Sequence, residues 1–156
     1  MSWLQKQCVV VPVDFSEESF LALDVARDFV QDPTQLHIVH VTRPWDEHAI
    51  GGAWGTETEE ERFNSIRKVL HEKLSARGHG SVQIGIYIGN PAMEITQYAE
   101  EIGAELIIMP SHGRTGIQHF ALGSVAERVV RIASCPVLVL RKGEPTKPKK
   151  KIIPYD

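Results

Sequence analysis

A chain of 156 residues that is 42% hydrophobic suits a single globular domain with a real core, which argues against disordered and fibrous classes. A net charge of -3 argues against a general nucleic-acid binder, whose affinity rests on a basic surface reading phosphates. No run approaches the roughly 18 apolar residues that span a bilayer, and Met1 to Lys6 carry no secretory apolar segment, so a cytoplasmic protein with no membrane partner is expected.

Cys8 to Asp14 reads as a first buried strand, because a β-branched run without alternation fits a parallel sheet covered on both faces. Ser16 then caps a predicted helix with Ala22, Leu23, Ala26, Phe29 and Val30 near helical spacing, stopped by Asp32-Pro33. A second strand, Leu36 to Val41, follows. Arg43 to Gly55 holds three glycines and two tryptophans without periodicity and reads as a long loop. Thr56 with Glu59 predicts a capping box for a helix whose face is Phe63, Ile66, Leu70 and Leu74, closed by Gly78. The third strand is Val82 to Ile88. Asn90-Pro91 opens a helix with Ala92, Ile95, Ala99 and Ile102 inward and Gly103 at its end.

The fourth strand, Glu105 to Met109, runs into Pro110-Ser111-His112-Gly113-Arg114-Thr115-Gly116 and then to a helix opening at Gly123-Ser124, where Ser124 and Glu127 predict a second capping box. A buried strand, a permissive loop and a helix N-terminus make an anion site, because backbone N–H groups and the helix dipole converge there. The ligand expected is therefore phosphate, hence nucleotide. Pro136 to Leu140 is the fifth strand, and five apolar strands alternating with helices predict an α/β fold with a doubly wound parallel sheet. In such sheets ligands sit beyond the carboxyl ends of the strands where strand order reverses, and Asp14, Val41 and the loop from Ser111 qualify. Cys8 and Cys135, flanked by strand signals, read as small buried hydrophobes. The histidines His37, His40, His48, His71, His79 and His119 lack a partner at ligand spacing, so no metal site is expected. Residues 142–156, with Lys147, Lys149, Lys150 and Lys151 among prolines, read as a tail appended to a domain over residues 1–141.

These motifs resemble the universal stress protein family over residues 6–141. The family's nucleotide-binding members carry Gly, two residues, Gly, nine residues, Gly, then Ser or Thr after the fourth strand. Gly113, nine residues, Gly123 and Ser124 match its second half, and Val13-Asp14-Phe15-Ser16, Gly89-Asn90-Pro91-Ala92, Leu122 to Val129 and Cys135 to Leu140 are also similar to the family. Pro110 departs from it, standing where the first motif glycine belongs and lacking an N–H.

The resemblance implies strand order 3-2-1-4-5, the fold of the adenine nucleotide alpha hydrolase-like group, and a homodimer paired through the fifth strand. It also implies a site for ATP, ADP or AMP, with magnesium as an accompanying ion. Asp14 would accept from ribose hydroxyls or help hold that metal. Val41 would present its backbone to adenine, with Pro12 and Met109 as apolar walls and Val13 beside them. The phosphates would fall to amides around Ser111, His112, Gly113 and Arg114 and to Gly123, Ser124 and Val125. On the residues alone, Ser124 reads equally as a helix cap and Gly113 as a loop glycine.

Three functions are consistent with this pattern. One is a regulatory module in the stress response that binds adenine nucleotide and reports to a protein partner. Another is an enzyme, either a slow ATP hydrolase or an adenylate-forming relative, disfavoured because no phosphate-binding Gly-Lys-Ser/Thr loop and no Ser-Gly-Gly-x-Asp-Ser loop is present and no second acid stands beside Asp14. The last, suggested by Pro110, is a dimeric scaffold that binds no nucleotide.

Overall fold

The structure, a computed structural model, describes residues 4–44, 58–112 and 122–141. Its strands are β1 (Val9–Pro12), β2 (Leu36–Thr42), β3 (Gln83–Ile88), β4 (Leu106–Pro110) and β5 (Val137–Leu140). Its α-helices are α1 (Glu17–Ala26), α2 (Glu59–Ala76), α3 (Pro91–Glu101) and α4 (Ser124–Ile132). The strands form one sheet with every neighbouring pair parallel, as the sequence predicts for a doubly wound domain, in the order β3-β2-β1-β4-β5 that the resemblance implies. Successive side chains leave opposite faces of a strand, so the same short runs feed two cores. Val9, Val11, Ile38 and Ile108 pack with Leu23, Leu70 and Leu74 of α1 and α2, whereas Val10, Val39, Ile107 and Met109 pack with Ile95, Ala99 and Val129 of α3 and α4. Each fully buried aliphatic side chain contributes about 1.5–3 kcal/mol, and Val9, Val10, Val11, Leu23, Ile38, Ile107 and Ile108 are all inaccessible to solvent.

Several predicted boundaries move for local reasons. The first strand ends at Pro12, short of Asp14, and the first α-helix ends at Ala26, its chain continuing as a 3₁₀ turn over Arg27–Phe29. The capping box of α2 forms two residues beyond its predicted place. Thr58 accepts from the Glu61 N–H while the Glu61 carboxylate accepts from the Thr58 N–H; Thr56 lies outside the described residues. Ser16 and Asn90 cap α1 and α3 as predicted. Gly78 and Gly103 follow α2 and α3 at φ +79° and +67°, the left-handed values that suit glycine after a helix end. Val130 is exposed on α4, while Ala126 and Val129 face inward.

Candidate functional site

The carboxyl ends of β1 and β4 lie side by side where the strand order reverses. Their pairing consists of Val9↔Leu106 and Val10↔Ile107 and then stops, although β1 continues to Pro12 and β4 to Pro110. Backbone N–H groups alternate sides along a strand. Val13 donates to Val39 on β2, and Ile107 and Ser111 donate to Pro136 and Leu140 on the β5 side. Pro12 and Pro110, one residue out of phase, therefore turn their nitrogens to the gap between β1 and β4. Neither has an N–H to continue the ladder, so the pairing ends at the switch point, where a doubly wound sheet has its crevice.

On the β4 side, Met109 is buried and Ser111 is 5% exposed, its N–H bonded to the Leu140 carbonyl at 2.8 Å. The Ser111 hydroxyl lies 3.1 Å from His112 Nδ1. The start of α4 closes onto this exit: Gly123 donates its N–H to the Ser111 carbonyl at 2.7 Å. A Cβ on Gly123 would lie 2.9 Å from that oxygen, so the close approach requires glycine. The N–H groups of Ser111 and Gly123, expected to face phosphate, are thus committed to protein carbonyls.

The predicted Ser124–Glu127 capping box is not made. Gly123 is the N-cap and brings no side chain of its own, and Ser124 is the first helical residue; Glu127 instead pairs with Arg131 at 2.8 Å. Close contact between Gly123 and Ser111 displaces the cap by one residue, so the first N–H groups of α4 lack the N-cap side-chain acceptor that Ser16, Thr58 and Asn90 give α1, α2 and α3. Gly113 and Arg114 lie outside the described residues, as does most of the loop predicted at 43–55.

On the β1 side, Val13 is buried at 2% exposure. Asp14 follows at the strand's exit, its Oδ1 accepting from the Ser16 N–H at 3.0 Å and the Ser16 hydroxyl at 2.5 Å. Ser16 Oγ also accepts from the Ser19 N–H as the cap of α1, so one hydroxyl links the carboxylate to the helix. Phe15 between them sits at φ +65°, unique among non-glycine residues described, a strain of about 1–3 kcal/mol. On β2, the Val39 carbonyl faces β1, and Val41, two residues on, directs its N–H and carbonyl to the same side, beyond the end of β1. Pro12, Val13, Asp14, Val41, Met109, Ser111, His112, Gly123, Ser124 and Val125 thus all lie at one edge of the sheet.

Sequence reading passed over two neighbours of this edge. His40 Nδ1 lies 2.7 Å from the Val13 carbonyl, and its ring meets Phe15 edge-on with centroids 4.8 Å apart. Burial pushes the His40 imidazole below its ordinary pKa, and the charge of Arg62 adds to this, outweighing the opposite pull of the Val13 carbonyl and Asp14. Arg62 of α2 donates to the Thr42 hydroxyl at 2.5 Å and to the Arg43 carbonyl, tying α2 to the end of β2. Neither role has a signature in local spacing, since the partners lie 27 and 20 residues away in sequence.

Away from the crevice, His79 bonds Asp24 at 2.7 Å, a pairing that sequence spacing hides. Cys8 and Cys135 are half-buried free thiols, and removal from water raises both pKa values. Among the described residues no three His, Cys, Asp or Glu side chains group as metal ligands, and no helix is long and apolar enough to cross a membrane.

A doubly wound parallel sheet with a crevice at its strand-order reversal defines an α/β domain of the adenine nucleotide alpha hydrolase-like fold. The profile described as "Universal stress protein family" matches residues 7–141, and the chain belongs to that family. It is 34% identical over 141 residues to universal stress protein MJ0531 of Methanocaldococcus jannaschii, covering 86% of this chain and 81% of that protein. With universal stress protein MJ0577 of the same organism it shares 29% over 160 residues, covering 91% and 98%. The solved structure of MJ0577 superposes with a TM-score of 0.66 at 30% identity, covering 88% of this chain and 96% of that one. A universal stress protein solved in complex with cAMP superposes with a TM-score of 0.58 at 24% identity over 86% and 97% of the two chains, a likeness of fold.

Proposed function

We propose that the protein is a regulatory module that binds an adenine nucleotide, ATP foremost, and signals a stress state to a protein partner in the cytoplasm. The observation that carries this reading is the start of α4, whose N-cap glycine brings no side-chain acceptor and draws the helix against the exit of β4, at the same sheet edge as Asp14. N–H groups and dipole at that point favour an anion. The amides of Ser124 and Val125 and the Ser124 hydroxyl take the phosphates, with Gly113 and Arg114 completing the loop. Asp14 takes the ribose hydroxyls, and Val41 offers backbone groups to the base beside Pro12, Val13 and Met109. Magnesium would travel with the phosphates. Lacking a second acid beside Asp14, the site favours binding over rapid hydrolysis.

The module works as a homodimer of domains spanning residues 1–141, with residues 142–156 as an appended tail. Its interface is β5, which is the edge strand among the described residues and whose four residues Val137–Leu140 are only partly buried. Such an apolar edge is stabilised by pairing with a second copy.

Calorimetric titration of ATP into nucleotide-stripped protein tests the binding. A Kd of about 10 μM or tighter, roughly 7 kcal/mol, lost in the Gly123→Val, Ser124→Val double variant, is the expected result. Absence of binding up to millimolar ATP would instead favour the scaffold reading, for which Pro110 is the supporting observation.

A further inference from the structure

A side chain of the neighbouring strand, His40, reaches the turn that carries Asp14. Pairing of β1 with β2 ends at Pro12↔Val39, and the next acceptor along β1, the Val13 carbonyl, is met at 2.7 Å by His40 Nδ1. A carbonyl oxygen only accepts, so Nδ1 carries the proton and the neutral imidazole is the Nδ1–H tautomer. The same ring lies edge-on to Phe15, centroids 4.8 Å apart at an interplanar angle of 68°. Phe15 holds φ +65°, a conformation that an L-residue keeps only where its surroundings impose it. One imidazole thus touches both chain neighbours of Asp14, while Asp14 itself is tied forward to Ser16 at the head of α1.

We propose that His40 is the positioning residue of the crevice, clamping Val13 and Phe15 so that the Asp14 carboxylate stands beyond β1 in one binding-competent conformation. The inference rests on the nucleotide reading and adds a residue that never meets the ligand. His40 belongs to the face of β2 that packs toward α1 and α2, since its neighbours in the strand, Val39 and Val41, pack with the α3 and α4 core. Ordering the carboxylate before the ligand arrives reduces the conformational cost of binding.

The test compares ATP affinity among the wild-type protein, His40→Leu, His40→Asn, Asp14→Ala and the His40→Leu, Asp14→Ala double variant. Leucine removes the donor. Asparagine places its amide nitrogen where Nδ1 stood and restores it. The expected result is a loss of roughly three- to tenfold for His40→Leu, a loss the size of one hydrogen bond. His40→Asn should stay within about twofold of the wild type. In the Asp14→Ala background the leucine substitution should change little, because the two residues act through one turn.

Wild-type affinity in His40→Leu, or the same loss with and without Asp14, overturns the proposal. Nitrogen-15 spectra of the wild-type imidazoles decide the clamp independently of any nucleotide: protonation at Nδ1 is expected, and protonation at Nε2 alone overturns it. A wild-type protein that takes no ATP but shows the Nδ1–H tautomer overturns the nucleotide reading, and with it the affinity role, while leaving the clamp established.

Discussion

Pro12 and Pro110 together end the pairing of β1 with β4. From the register Val10↔Ile107, the next two ladder bonds would run from the nitrogen of residue 12 to the Ile108 carbonyl and from the nitrogen of residue 110 to the Pro12 carbonyl. Both nitrogens belong to proline, so neither bond can form and the pairing stops there. Pro110 costs the sheet nothing on its other side, where Ser111 still donates to Leu140.

Replacing Pro110 with glycine returns an N–H to the crevice and removes the ring from it. One restored hydrogen bond of about 1 kcal/mol predicts an ATP affinity roughly fivefold higher for Pro110→Gly, read by calorimetry. An unchanged or weaker affinity would show that the nitrogen of residue 110 does not face the ligand.

Gly123 offers no room for a side chain, because its added Cβ would meet a backbone oxygen rather than a movable group. Gly123→Ala should therefore cost about 1–3 kcal/mol of stability and weaken ATP binding, as α4 shifts away from Ser111. Urea denaturation alongside calorimetry checks both; a variant as stable as the wild type would contradict the packing described.

Asp24 gives the stability an acid limb. Removal from water raises its pKa, but hydrogen bonds from His79 and Arg77 outweigh this and hold the carboxyl below its ordinary value. A carboxylate whose folded pKa is depressed contributes stability above its unfolded pKa of about 3.9 and loses that contribution as pH falls through the folded value. Stability measured by denaturant from pH 6 to pH 3 should fall less steeply in Asp24→Asn than in the wild type. The side chain is 43% exposed, so solvent screening keeps the difference small, about 1 kcal/mol or less. Parallel curves would remove Asp24 from the account.

Tyr98 gives it an alkaline limb. Burial pushes its phenol up to about 12, and its hydroxyl lies 2.9 Å from His37 Nδ1. A phenol protonated in the folded state but ionised in the unfolded one contributes stability that is complete below pH 10 and lost as pH rises toward the folded value. Ultraviolet titration should show this tyrosine ionising after an ordinary tyrosine, and Tyr98→Phe should remove that late step. A full phenolate signal by pH 11 would contradict the burial.

The strands and helices were legible because each rests on a local pattern of unbroken β-branched runs, cap residues and glycines after helices, whereas the strand order came only through the family resemblance. Val9 to Val11 and Leu106 to Met109 announce themselves as buried on both faces. The start of α4 misled because Ser124 and Glu127 have the spacing of a capping box, while the contact that overrides it, Gly123 on Ser111, joins separate elements. Thr58 displaced Thr56 because both are capping residues followed three positions later by glutamate. His40 was invisible for a further reason: its meaning lies in the carbonyl and ring it touches, and neither shares its strand.

If the proposed nucleotide binds at the α4 start and not to the unfolded chain, durability and occupancy become the same quantity, because at a concentration one hundred times its Kd it would add about 2.7 kcal/mol to folding. The lifetime of the protein against proteases would then follow the supply of its ligand, and a fall in that supply would be recorded as a fall in the abundance of the protein itself.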